Sequence, residues 1–179
     1  MFSSVFEALA RLVQPWADLY ADQTALATAV IAIHVLGMFV AGGMAIAADR
    51  AILRAPAETA EAMRAVVADL ATTHSVVISA LALTIASGVA LFASDVPTFS
   101  VSKVYWSKMG CVAALLLNGL RMRSAERTVL RSLDGAPIHT AEMPVPAPFA
   151  EWRGVRSAAM VSFGLWLVIV LLGVVLTNS

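Results

Sequence analysis

Four long apolar segments dominate the chain and restrict what it can fold into. They occupy residues 25–48, 75–94, 104–120 and 157–177. Each contains roughly 17 to 24 residues with few or no charges, and about 20 helical residues cross ~30 Å of hydrocarbon. The composition, 60% hydrophobic and 13% charged, agrees with a membrane protein. We therefore predict an all-α fold, a four-transmembrane-helix bundle that forms a single membrane domain over residues 1–179.

An amphipathic helix is predicted before the first span. Residues 2–16 place apolar side chains at steps of three and four, and Ser4 with Glu7 fits a capping box. Pro15 is expected to end this helix. Lying in the membrane interface, the helix would hold Trp16 at headgroup level. Packing of the same helix against the bundle is an equally good interpretation.

The positive charges orient the bundle. Nine of the twelve Lys and Arg residues lie in two connections, 49–74 and 121–156. By the positive-inside rule both connections are cytoplasmic. The N- and C-termini are then periplasmic, and we expect the chain in a bacterial inner membrane.

The two cytoplasmic connections are predicted to differ. Apolar residues from Met63 to Leu81 form one stripe that runs into the second span, so one long helix should extend into the cytoplasm. In the other connection, Asp134 and Gly135 should end a helical extension of the third span. Several prolines then predict a Pro-rich cytoplasmic loop over residues 134–152.

Two histidines lie in or at the spans. His34 is well inside the first span and shares a helix face with Gly37 and several alanines. His74 lies at the cytoplasmic edge of the second span, and Gly88 leaves room farther along that helix. The depths of the two histidines differ by most of the membrane thickness, so they should not share one metal.

Small residues beside a membrane histidine have two interpretations. Close helix packing is one, with the histidine hydrogen-bonded to a neighbouring helix. The other is a haem b or a metal, since imidazole is a common ligand and a haem needs a groove without bulky side chains. Lys108, Met109 and Cys111 of the third span come near the depth of His34, and Met109 is the best second ligand, since Met/His pairing is known for haem and a thioether also suits Cu(I). The candidate cofactor-binding residues are His34, Gly37, His74, Gly88 and Met109, and the candidate metal ligands are His34, His74 and Met109.

Several other functions are excluded by residue inventory. Cys111 is the one cysteine, so covalent c-type haem and an intramolecular disulfide are excluded. There is no hydrolytic motif and no phosphate loop, and we predict no catalytic residues. No basic run suggests a nucleic-acid partner. Asn118 is expected to hydrogen-bond across helices, and Asp49 to act as a cap or as a partner of His74.

Two stretches carry a resemblance to a known group. The segment from His34 to Arg50, HVLGMFVAGGMAIAADR, resembles the first helix of an uncharacterised group of bacterial four-helix membrane proteins. Residues 104–123, VYWSKMGCVAALLLNGLRMR, look like its third helix. The layout is similar to the CopD copper-resistance membrane domain and to small membrane b-type cytochromes, which implies a redox cofactor or a metal. The matching positions are His34, Gly37, Asp49, Arg50, Lys108, Met109 and Asn118.

These observations lead to three expectations about function. The first is a haem-b-binding inner-membrane protein for electron transfer, a carrier rather than a stand-alone enzyme, with a quinone as a candidate partner. The second is copper handling, with soft ligands from His34, Met38, Met109 and Cys111. The third is a cofactor-free subunit of a larger membrane complex, or a homo-oligomer, in contact with the lipid bilayer.

Overall fold

The described part of the chain is helical throughout. The computed structural model describes residues 2–55, 60–134 and 149–177. No strand occurs within these ranges, which confirms the predicted all-α class. The helices are α1 (Phe2–Asp22), α2 (Thr24–Arg54), α3 (Ala60–Ser94), α4 (Val96–Val101), α5 (Lys103–Asp134) and α6 (Phe149–Leu176).

Three of these helices are long and apolar enough to cross a membrane. They are α2, the part of α3 from Glu61 onward, and the part of α6 from Trp152 onward. The described part of α5 has a comparable length of 32 residues. Lys108 and Asn118 interrupt its apolar part, so length and composition identify three crossing helices where we predicted four.

The four long helices form a ring. α2 packs along α3, α5 packs along α6, and α2 joins the two pairs by packing on α6. The ring closes between α3 and α5, which contact each other sparsely. We call the end of the ring formed by the last turns of α2 and α5 and the first turns of α3 and α6 the arginine-rich end.

The largest buried core lies at the arginine-rich end. It contains Ile52, Met63, Val129 and Trp152, each of which is almost fully buried. Met63, Val67 and Leu70 belong to the predicted stripe, and α3 runs without a break from Ala60 to Ser94, as predicted. Outward-facing side chains are exposed along the apolar helices, as in Phe39 at 77%, which is expected of a surface that contacts lipid.

The first helix does not end at Pro15. α1 continues through the proline to Asp22, so the predicted end of the helix was wrong. Beyond the proline, the Trp16 indole Nε1 donates a hydrogen bond to the Ala90 carbonyl oxygen of α3 at 2.9 Å. A helix-interior proline costs about 3 kcal/mol. α1 also packs against α3 and α4.

The Pro-rich loop was predicted with one wrong boundary. α5 ends at Asp134, as expected, whereas α6 begins at Phe149, inside the predicted loop 134–152. Trp152 is 2% exposed in the core of the arginine-rich end, so the start of α6 is packed into this core. The rest of the predicted loop, residues 135–148 with His139, lies outside the described residues.

Candidate functional site

His34 is held by the neighbouring helix α3. Its Nδ1 lies 3.0 Å from the Thr84 carbonyl oxygen and 3.1 Å from the Ser87 hydroxyl oxygen. A carbonyl oxygen only accepts, so the hydrogen-bond network assigns the proton to Nδ1, which donates to Thr84. The lone pair of Nε2 is then available for a ligand or a proton.

The space beside the small residues around His34 is filled by the packing of α2 against α3. A Cβ atom built on Gly37 would lie 2.5 Å from Thr84 Oγ1, and one built on Gly88 would lie 3.1 Å from His34 Cε1. These glycines let α2 and α3 approach closely, which is the packing interpretation. The space between α2 and α3 therefore does not fit a haem.

The other predicted ligands lie apart from His34. His74 is on α3, ten residues before Thr84, which corresponds to about 15 Å along the helix. Met109 is half-buried on α5. The α5 side chain that acts electrostatically on His34 is Lys108, whose Nζ would lie 3.5 Å from a Cβ on Gly173. Among the described residues, no three His, Cys, Asp or Glu side chains form a metal-binding group.

A second candidate site lies nearer the arginine-rich end. A cavity of about 190 Å³ is enclosed by α2, α3, α5 and α6. Its walls are mostly apolar, and its polar lining is Asp49, His74, Asn118, Arg123 and Ser162, with Thr73. Ile78 and Leu120 line it and are 44% and 64% exposed, at the sparse contact between α3 and α5. The cavity thus opens sideways, and we call it the lateral cavity.

Asp49 is the most deeply buried polar residue of the lateral cavity. It is 3% exposed, and Ser162 of α6 hydrogen-bonds its carboxyl group. The other carboxyl oxygen, Oδ2, has no hydrogen-bond partner in the described part of the chain. A buried polar atom without a partner costs about 1–3 kcal/mol, so a donor at this point would be bound favourably.

Glu126 and His74 form a pair between α5 and α3 beside the cavity. His74 Nε2 lies 3.8 Å from Glu126 Oε1. Glu126 is 8% exposed and lies beyond the predicted span 104–120. Burial raises the pKa of Glu126 to about 7, and the Arg123 guanidinium partly opposes this shift. Glu126 is therefore poised to gain or lose a proton near neutral pH.

Asn118 makes the predicted bond across helices. Its amide Nδ2 donates to the Ala158 carbonyl oxygen of α6 at 2.8 Å. This bond confirms the sequence prediction and fixes one wall of the lateral cavity. Glu126 was not identified from the sequence, although a signal existed. It lies on the stripe that carries Met122 and Val129, where a carboxylate among buried apolar residues is unusual.

Comparison with known proteins gave no relative. No protein-family model, no curated protein and no solved structure matches this chain. The lateral cavity and His34 are therefore the two candidate sites of this protein.

Proposed function

We propose that this protein binds the ring of a quinone-type lipid in the lateral cavity and serves electron transfer in a bacterial inner membrane. The observation that supports this proposal most directly is that Asp49 Oδ2, which lines a cavity of about 190 Å³, has no hydrogen-bond partner among the described residues. A dry protein cavity of roughly 150 Å³ accepts benzene. A substituted six-membered ring therefore fits this space by volume.

The chemistry of the lining suits both oxidation states of such a ring. The reduced ring carries hydroxyl groups, and Asp49 Oδ2 can accept a hydrogen bond from one of them. The oxidised ring carries carbonyl oxygens, to which the second N–H of the Asn118 amide can donate while the first donates to the Ala158 carbonyl oxygen. Ile78 and Leu120 leave the sideways opening apolar, so the isoprenoid tail can remain in the lipid.

The proposal includes four crossings, with the arginine-rich end in the cytoplasm. α5 supplies the fourth crossing, because the ring of helices is complete only with it. Its half-buried Lys108 faces Gly173 of α6 near the opposite end, and lysine stems can reach the interface from such a position. The charge distribution then supports a periplasmic location for both termini.

Fluorescence quenching tests the binding of a quinone. Trp166 lines the lateral cavity. Titration of the purified protein with a short-tailed benzoquinone should therefore quench the fluorescence of Trp166, and the quenching should reach saturation. Binding of the reduced analogue should weaken about 10- to 100-fold in Asp49→Asn, since hydrogen bonds to charged groups contribute about 1.5–3 kcal/mol. Asp69→Asn, an exposed aspartate on α3, is the matched control. Quenching that does not saturate, or equal losses in both variants, would refute the proposal.

A metal-ligand role of His34 is a second candidate. The observation that favours it is the Nδ1 bond to Thr84, because ligating histidines commonly donate their other ring N–H in this way. A copper ion, which needs no groove for a macrocycle, would then bind at Nε2. Stoichiometric copper that is lost in His34→Ala would support this role. Protein from copper-supplied cells that holds no copper would contradict it.

A further inference from the structure

Three arginines form a stripe along one face of α5. Arg123, Arg127 and Arg131 are spaced by four residues, and all three are exposed. Between them lie Ser124 and Thr128, and together these residues line a shallow groove of about 270 Å³. We call Arg123, Arg127 and Arg131 the arginine stripe.

Arg127 and Arg131 form no ion pair with any carboxylate whose side chain the structure describes, whereas Arg123 stabilises the ionised form of Glu126. Among the side chains that the structure describes, no carboxylate oxygen lies within 4.0 Å of the three guanidinium groups. Like charges four residues apart disfavour a helix. Other arginines at this end bond to the protein, since Arg121 donates to the Ser157 hydroxyl and Arg156 to the Leu53 carbonyl oxygen. The stripe is therefore available to an external anion.

The same face of α5 becomes apolar toward the membrane. Leu120 and Leu116 precede the stripe by about one and two turns and are 64% and 41% exposed. Leu120 and Arg123 line both the groove and the lateral cavity, so the two surfaces are continuous. A ligand that fits this face carries a negative head on an apolar chain.

We propose that the arginine stripe binds the phosphate headgroup of an anionic phospholipid, with its acyl chains along Leu116 and Leu120. Arg123 and Arg127 lie about 6 Å apart along the helix, which matches the depth of one headgroup layer. Guanidinium groups bind phosphate oxygens in a bidentate way. The bound lipid neutralises the stripe and anchors α5 at the membrane surface.

Lipid binding to the purified full chain tests this site. Phosphatidylglycerol and phosphatidylcholine are titrated separately, and bound lipids are counted by native mass spectrometry. In the double variant Arg127→Gln and Arg131→Gln, affinity for phosphatidylglycerol should fall about fivefold for each arginine removed. Arg50→Gln with Arg54→Gln is the matched control, because it removes the same charge from exposed positions at the same end. The control should keep its affinity.

Three results would overturn the proposal. They are equal losses in the stripe variant and the control, equal affinity of the unmodified protein for the two lipids, and displacement of phosphatidylglycerol by water-soluble glycerol phosphate. The last result would indicate a site for a free phosphate. Both variants should retain the helical circular dichroism of the unmodified protein, since glutamine is a good helix former. Quinone quenching is measured separately, so failure of either proposal leaves the other intact.

Discussion

The stability of this protein should fall between pH 4.5 and about 7 because of Glu126. Burial raises the pKa of Glu126 from 4.5 to about 7. The folded protein therefore keeps a proton that the unfolded chain releases as the pH rises. The stabilisation is fully present below pH 4.5 and is lost as the pH passes about 7. At about 1.4 kcal/mol per pKa unit the loss is about 3 kcal/mol.

Charged neighbours of Glu126 limit this loss. His74 of α3 lies 3.8 Å away, and Arg123 lies one turn earlier on α5. The pKa of about 7 already includes the effect of Arg123, and His74 stabilises the ionised carboxyl group only when it is protonated, so about 3 kcal/mol is an upper bound. A loss of this size corresponds to a decrease in Tm of about 6–12 °C for a chain of this length.

Thermal unfolding in mild detergent, followed by tryptophan fluorescence from pH 4.5 to 8, measures the effect. Glu126→Gln keeps the shape of the side chain and cannot ionise, so its Tm should vary less with pH than that of the unmodified protein. Glu61→Gln, at an exposed position on α3, should keep the original slope. Parallel curves for the unmodified protein and Glu126→Gln would refute the assignment of this pH dependence to Glu126.

Two further predictions concern contacts between helices. Gly37→Ala should destabilise the protein by about 1–3 kcal/mol, because the new Cβ would lie 2.5 Å from Thr84 Oγ1. Gly43→Ala, where nothing lies within 4 Å, should be neutral or stabilising by the same thermal assay. Asn118→Ala should cost about 1 kcal/mol through loss of the bond to the Ala158 carbonyl oxygen. An unchanged Tm in Asn118→Ala would show that this bond contributes nothing to stability.

The long helix α3 could be predicted from the spacing of apolar residues along the sequence. The apolar residues Met63, Val67 and Leu70 are spaced with the period of a helix, and the same stripe continues into the second span. One long α3 was therefore predicted, and α3 runs from Ala60 to Ser94. The predicted end of α1 at Pro15 was wrong because it considered only the backbone hydrogen bond that a proline removes. Contacts with residues far away in the sequence were not considered. The Trp16 bond to the Ala90 carbonyl oxygen spans 74 residues of sequence.

The candidate site was less predictable than the helices. Histidine depth could be counted along a helix, but the sequence left open whether Gly37 and Gly88 face a cofactor or a neighbouring helix. That distinction depends on the distance between α2 and α3, which side-chain spacing alone does not define. The importance of Asp49 was likewise hidden, because it arises from the sparse contact between α3 and α5 and from Ser162 on a different helix.

The sparse contact between α3 and α5 also has a mechanical consequence. The ring consists of two hairpins, α2 with α3 and α5 with α6, and the packing of α2 on α6 connects them. That packing can act as a hinge, because α3 and α5 can separate with little loss of contact. The buried core at the arginine-rich end resists such separation, so the seam is weakest in the membrane half beyond it. A molecule in the bilayer could therefore enter sideways without the protein unfolding.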